Sequence, residues 1–249
     1  MFEGVRRKRV LITGASGGIG RSLVEVFAAQ RARIGVHYKR HHREAAAARQ
    51  AVVRAGGEAE VFQADLLDHA ACRQLVRCFV KRFGGIDVLI NNAGAIMGPR
   101  EFSRLDESSW NRTLALNAKA PFFLSREAFA RMKRQGGGKI INISSISVKY
   151  GGSSRTMHYG AAKAALEAIT VGMARAGAPH GILVNAIRAG FIDTAFHRRM
   201  SRRDVAERIR LIPLRRAGRP ADVARAALFL ASEAGDFITG EILTVGGGD

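Results

Sequence analysis

The sequence predicts an α/β fold: a doubly wound parallel sheet of about seven strands, in three α/β/α layers. Three observations predict it. Apolar runs of strand length alternate with amphipathic stretches of helix length along the whole 249 residues. A glycine-rich turn, TGASGGIG at 13–20, follows the first apolar run and opens a helix. No proline- or glycine-rich linker and no short-period repeat interrupts the alternation, so one domain over 1–249 is the simplest account.

The first strand is RVLITG (9–14), followed by the helix GRSLVEVFAAQRA (20–32). RIGVHY (33–38) is the second strand and HREAAAARQAVVRAG (42–56) an alanine-rich helix. EAEVFQAD (58–65) leads to a helix around ACRQLVRCFVKRFG (71–84), then to the strand IDVLINNAG (86–94), which looks buried. One long helix is expected over SSWNRTLALNAKAPFFLSREAFARMKRQ (108–135), then the strand GKIINISS (138–145). HYGAAKAALEAITVGMARAGA (158–178) reads as a helix and GILVNAIRAG (181–190) as a strand. PADVARAALFLASEAG (220–235) is the last helix and EILTVGG (241–247) the last strand.

Composition narrows the function classes. Hydrophobic content of 47% suits a packed core, and no apolar run approaches the roughly 20 residues that span a bilayer. The opening MFEGVRRKRVLITG carries basic residues before an apolar run too short for a secretory signal, so a cytoplasmic protein is expected. Cys72 and Cys78 form no metal-ligand pattern, and neither a metal nor a disulfide is expected. Forty Lys and Arg against 21 Asp and Glu give a formal charge of +19, a field that attracts polyanions. The basic residues are spread through nearly every segment, and no helix-turn-helix, zinc knuckle or aromatic-studded basic stretch appears. Non-specific, salt-sensitive affinity for nucleic acid is all that the charge implies.

The turn at 13–20 has the chemistry of a phosphate cradle. Gly14, Gly18 and Gly20, with Ser16 and Ile19 among them, allow a tight turn and close backbone approach to a pyrophosphate at a helix N-terminus. No Gly-Lys-Ser/Thr follows, which excludes a nucleotide-hydrolysing P-loop. In such folds an acid at the end of the second strand binds a ribose 2′-hydroxyl. Here VHYKRHHRE has no acid before Glu44, and Lys39 and Arg40 stand where a 2′-phosphate would find charged partners, favouring NADP over NAD.

HYGAAKAAL (158–166) places Tyr159 and Lys163 one helical turn apart on one face. An ammonium beside a phenol favours the phenolate, one way to build a general acid/base. Taken alone, the two residues are more often an ordinary surface pair.

TGASGGIG, NNAG (91–94) and the Tyr159–Lys163 pair, in that order, resemble the short-chain dehydrogenase/reductases from Val10 to GGGD (246–249). The likeness is greatest to the single-domain branch that includes 3-oxoacyl-(acyl-carrier-protein) reductases. The resemblance implies a Rossmann-like NAD(P)-binding domain that reduces a 3-oxoacyl group or another ketone to an alcohol. By resemblance Tyr159 gives the proton, Lys163 lowers its pKa and binds the nicotinamide ribose, Ser145 polarises the carbonyl oxygen, and Asn117 holds a relay water. Asp65, with Leu66 beside it, would meet the adenine. Asn91, Ala93 and Gly94 would flank the cofactor, and Gly190, Ile192 and Thr194 its nicotinamide end. A homotetramer built on the helices near 105–135 and 158–178 and the last strand is also implied.

Competitors are weaker. Tyr150 has Ser154, not lysine, four residues on, and Tyr38 lies in the second strand. Ser144 neighbours Ser145, but alternate strand residues face opposite ways, so one points inward. The tight YGAAK spacing favours carbonyl over double-bond reduction, because the family's enoyl reductases separate tyrosine and lysine more widely. A non-catalytic dinucleotide-binding regulator would be signalled by a broken catalytic set, and this set is complete.

Three departures stand out. Thirteen residues separate Ser145 from Tyr159, one more than usual, with the extra residue expected in the GGSSR loop (151–155). Arg188-Ala189-Gly190 replaces the usual Pro-Gly, and Gly246 stands where an aspartate is common. The resemblance makes 191–219 a substrate lid. Nine arginines (198, 199, 202, 203, 208, 210, 215, 216, 219) fall in its last 22 residues, where the chain's average gives about three or four basic residues. Arginine suits carboxylate and phosphate, so the lid either receives an anionic substrate or carrier, such as an acyl-carrier protein, coenzyme A ester or carboxylate, or is a solvated helix face of an arginine-rich protein. Phe191, Ile192, Phe196, Met200, Ile209 and Leu211 could line an acyl or polyketide pocket or form the lid helix's own packing face.

Overall fold

The computed structural model describes residues 3–98, 101–197 and 200–249. Strand β1 (Arg9–Ile12) leads into helix α1 (Gly18–Ala29), followed by β2 (Arg33–Tyr38), α2 (His42–Arg54), β3 (Glu58–Gln63), α3 (His69–Phe83) and β4 (Val88–Asn91). Then come α4 (Glu107–Leu114), α5 (Ala120–Arg134), β5 (Gly138–Ser145), α6 (Met157–Gly177) and β6 (Ile182–Ala189). The order closes with α7 (Arg202–Leu211), α8 (Pro220–Ala231) and β7 (Ile242–Val245). The strands form one sheet in the order β3-β2-β1-β4-β5-β6-β7, with every pair parallel. The strand order reverses between β1 and β4, leaving a crevice at their carboxyl ends where such sheets bind ligands.

The period-two alternation of each strand builds two cores. Val10 and Ile12 pack on one face with Leu23, Phe27, Val223 and Leu228 from α1 and α8. Leu11, between them, joins Leu75, Phe79, Leu124 and Met132 from α3 and α5 on the other. This is the expected doubly wound, three-layer arrangement of seven strands. Cys72 and Cys78 are free thiols. Among the described residues no helix is long and apolar enough to cross a membrane.

The long helix expected over 108–135 is helical throughout 107–134, with a π-helical turn at Ala115–Lys119 joining α4 to α5. An extra residue in one turn rotates the following face, and such turns are frequent at functional sites. The segment 191–219 holds the expected helix, α7, opened by a reciprocal cap between Ser201 and Asp204, and no side chain in it is fully buried.

Candidate active site

A cleft of about 1210 Å³ opens over the carboxyl ends of the central strands. At one end lies the glycine turn. Helix α1 starts after Gly17 with no side-chain cap, so its first amides present themselves to an anion. Gly14 has φ +62°, and a Cβ there would lie 2.9 Å from Ala93 Cα. A Cβ on Gly20 would fall 2.1 Å from the Gly14 carbonyl, so Gly20 lets α1 seat against the turn and does not itself line the cleft. Ser16, Gly18 and Ile19 do.

Lys39, Arg40, Asp65 and Leu66 form the next stretch of wall. Lys39 Nζ pairs with Asp65 at 2.7 Å, and the Leu67 amide donates to the same carboxylate at 3.1 Å. Burial raises the Asp65 pKa. The hydrogen bonds from Lys39 and the Leu67 amide, with the fields of Lys39 and Arg40, outweigh that and hold it below the usual range.

At the chemical end, β5 delivers Ser145, and α6 presents Tyr159 and Lys163 on one face. The Tyr159 phenol faces the Ser145 hydroxyl, which favours its ionised form. Ser145 Oγ also accepts the Ser147 amide at 3.2 Å and donates to Ser147 Oγ at 3.1 Å. Lys163 Nζ donates to the Ile143 carbonyl at 2.8 Å and stands 5.7 Å from the centre of the Tyr159 ring. The expected lowering of the phenol's pKa is corrected here. Burial pushes Tyr159 up to about 12, the Ser145 hydroxyl offsetting part, and pushes Lys163 down to about 8. Both groups have lost water, and for the phenol that outweighs a neighbouring ammonium. Tyr159 therefore holds its proton at neutral pH.

Asn117 sits on the π-helical turn, fully buried behind the cleft wall. Its Nδ2 donates to the carbonyls of Ala95 at 2.8 Å and Thr113 at 2.9 Å, which leaves its buried Oδ1 without a partner. A Cβ on Gly94 would lie 2.7 Å from that Oδ1 and 3.3 Å from Lys163 Nζ. The amide oxygen and the ammonium thus face one small space that the glycine keeps open.

Asn91 does not join them. Its side chain turns toward α5 and donates to Ser125 Oγ at 2.9 Å and Asn142 Oδ1 at 2.8 Å, so the expectation that it contacts a cofactor is corrected. Strand alternation sends Asn91 into the core and leaves Asn92, Ala93 and Gly94 at the cleft. Asn92 braces the glycine turn, donating to the carbonyls of Thr13 at 2.9 Å and Gly14 at 3.1 Å. Gly190, Ile192 and Thr194 line the opposite wall as expected.

The family model described as enoyl-(acyl carrier protein) reductase matches residues 14–249. The chain belongs to the short-chain dehydrogenase/reductase family. The chain is 34% identical to the 3-oxoacyl-(acyl-carrier-protein) reductase FabG of Chlamydia pneumoniae over 97% of its own length and 96% of that one. It is 32% identical to nodulation protein G of Azospirillum brasilense, over 97% and 98% of the two chains. A crystal structure of a blue fluorescent protein from a metagenomic library, in complex with NADPH, superposes with a TM-score of 0.92 at 34% identity, covering 99% of each chain. The short chain dehydrogenase of Burkholderia cenocepacia J2315, in complex with NADP, does so at 0.92 and 31% identity over 98% of each. As a family member the protein is an NAD(P)-dependent oxidoreductase.

Two groups beside the cleft went unread in the sequence. His37 of β2 is buried, accepts the Gly14 amide on Nδ1 at 3.0 Å and bonds the Ala64 carbonyl through Nε2 at 3.2 Å. It ties the glycine turn to the end of β3. Glu167, one turn beyond Lys163 on α6, accepts from Arg188 Nε at 3.0 Å and Nη2 at 2.6 Å and from Ser144 Oγ at 2.7 Å. That network clamps β5 and β6 to α6 where the usual proline is missing. The signal for it was an Arg at the end of an otherwise apolar strand. Gly160, next to Tyr159, makes room for the loop holding Gly151 and Gly152, since a Cβ there would meet their backbone at 3.1 Å.

Proposed function

We propose that this reductase converts a carbonyl, in a 3-oxoacyl group or another ketone, to an alcohol using NADPH, with Tyr159 giving the proton. The observation that carries the reading is the meeting of Ser145, Tyr159 and Lys163 on the wall of one cleft, with a phenol that stays protonated at neutral pH. Two hydroxyls that face each other can both turn onto one carbonyl oxygen and stabilise charge where it develops. The dinucleotide, when bound, supplies the hydride. The uncapped start of α1 suits its pyrophosphate. Lys39 and Arg40 suit a 2′-phosphate, and the Lys39 pairing neutralises Asp65, the acid that would repel it. The NADPH- and NADP-bound neighbours point the same way. Asn117 Oδ1 and Lys163 Nζ keep the space beside Gly94 polar, which suits a water that resupplies the proton.

The FabG relatives are named for 3-oxoacyl reduction on an acyl-carrier protein, which favours an acyl thioester over the double bond in the family model's description. An acidic carrier would meet the exposed Arg202 and Arg210 of the lid. Arg203, Arg208 and Arg216 already pair with Glu207, Asp249 and Asp222, while Arg198 and Arg199 lie outside the described residues. Exposed Phe102, Trp110, Phe122, Met157, Val171 and Leu243 lie before or on α4, α5, α6 and β7, the faces a homotetramer would cover.

The test follows NADPH oxidation with a 3-oxoacyl thioester. Tyr159→Phe should lower kcat by about a hundred- to ten-thousandfold while NADPH still binds. Lys39→Ala/Arg40→Ala should erase the preference for NADPH over NADH in a calorimetric titration. Full turnover by Tyr159→Phe would remove the proton-donor role. Equal binding of both cofactors to the unaltered enzyme would remove the NADP assignment.

A further inference from the structure

Tyr150, the arginine-rich helix α7 and the GGGD run have no part in the reaction above, yet the structure brings all three to one point. Arg208 of α7 donates to one oxygen of Asp249, and the Tyr150 hydroxyl donates to the other at 3.0 Å. The Asp249 side chain is 4% exposed and that of Arg208 22%, against 86% and 54% for the Arg203–Glu207 pair on the same helix. The pair at Asp249 is therefore the one that solvent screens least. All three residues line the same cleft as Tyr159.

The glycines show how the aspartate arrives there. The Leu214 amide donates to the Gly247 carbonyl at 3.1 Å. A Cβ on Gly247 would lie 2.9 Å from Ile212, and one on Gly248 2.9 Å from Pro213, both at positive φ. The run lies against the segment leaving α7 and delivers Asp249 between the lid and the loop after β5. Helix α7 itself has no fully buried side chain, so little apolar contact fixes its place.

The geometry points to Asp249 as a latch that holds α7 against the Tyr150 loop and so limits how long a substrate the cleft accepts. Its substrate class rests on the carbonyl-reductase reading; the contact does not. With the latch closed, Met200 and Leu211 of the lid and Tyr150 wall the same cleft. A long acyl chain must push α7 aside against the Arg208 and Tyr150 bonds. Asp249 acts through those two anchors and is a positioning residue.

Asp249→Asn keeps the shape and removes the charge, and Tyr150→Phe removes the second anchor. Hydrogen–deuterium exchange in the whole protein is read across Arg202–Leu211, with β5 as the internal reference. Turnover is compared for a short-chain and a long-chain 3-oxoacyl thioester. Exchange in α7 should quicken in Asp249→Asn, and less so in Tyr150→Phe. The long-over-short ratio of kcat/KM should rise on the order of tenfold, through KM of the long substrate. Unchanged exchange in α7 overturns the latch. Faster exchange with an unchanged ratio overturns its role in selection, because a merely structural contact would give that result. Exchange is read without substrate, so failure to reduce either thioester would refute the reductase reading while exchange still judges the latch.

Discussion

Replacing His37 with phenylalanine tests how the glycine turn is held. Because the Gly14 amide donates to Nδ1, the ring proton sits on Nε2 and points at the Ala64 carbonyl, so the working form is neutral. Burial pushes the pKa down to about 4, with the Ala64 carbonyl and the Asp65 charge offsetting part. A histidine that titrates near 6.5 unfolded and about 4 folded binds its proton more tightly when unfolded. It therefore leaves stability untouched above pH 6.5 and erodes it as pH falls from 6.5 to 4, by about 3 kcal/mol at about 1.4 kcal/mol per pH unit. Phenylalanine fills the same space but deprives a buried amide and a buried carbonyl of their ring partner, at roughly 1–3 kcal/mol each. His37→Phe should be about 2–4 kcal/mol less stable at pH 7, and the gap should narrow by about 3 kcal/mol toward pH 4. Urea denaturation of both proteins at several pH values between 7 and 4 measures this. Carboxylates such as Asp87, which burial raises but the Arg9 bonds hold below the usual range, lose stability equally in both and cancel. Parallel curves would refute the buried neutral histidine, and unaltered NADPH binding by the variant would refute its role in bracing the turn.

Two further outcomes follow from the site. Gly94→Ala would fill the space between Asn117 Oδ1 and Lys163 Nζ, and kcat should fall by about a hundredfold with the thermal midpoint nearly kept; wild-type turnover would mean the space is idle. Glu167→Gln leaves Arg188 without its acid and should cost about 3 kcal/mol in urea denaturation, whereas Glu167→Leu with Arg188→Met should be close to neutral. Equal losses in the two variants would show that the pair's shape, not its charge, holds β6 to α6.

The sheet was readable because it depends on patterns that repeat. Leu11 between Val10 and Ile12 already implies two cores, and a glycine turn after the first strand implies where the chain presents its phosphate cradle. Helical spacing put Tyr159 and Lys163 on one face, and the family resemblance picked them out together with Ser145; the structure brings all three to one cleft. Asn91 was not, because the NNAG string does not say which asparagine looks inward; that depends on the register in which β4 leaves the sheet. The phenol's pKa was misjudged for a similar reason. Spacing shows that an ammonium is near, but it does not show that both groups are buried. What stands in for the missing proline before Gly190 was not legible either, because only the contact between Arg188 of β6 and Glu167 of α6 shows what fastens that strand end.

Charge offers the sharper lesson. With 40 basic residues and 21 acidic ones, cations crowd the sequence and draw the eye to the arginines of the lid. In the folded protein the scarce acids mark the structure. Glu58 accepts from Arg33 at 2.6 Å and Arg82 at 2.9 Å, and Glu60 draws in Arg49 and Arg82. In and beside the cleft three acids each hold one cation in place: Asp65 holds Lys39, Glu167 holds Arg188, and Asp249 holds Arg208. An arginine removed from such a surface has neighbours of the same sign that can take its place beside the acid. An acid removed leaves one or two cations facing like charge with no substitute nearby. Neutralising Asp249 or Glu167 should therefore disturb the protein more than neutralising Arg202 or Arg210. Around α7 the single carboxylate at 249 carries more structural information than the arginines that crowd the sequence there.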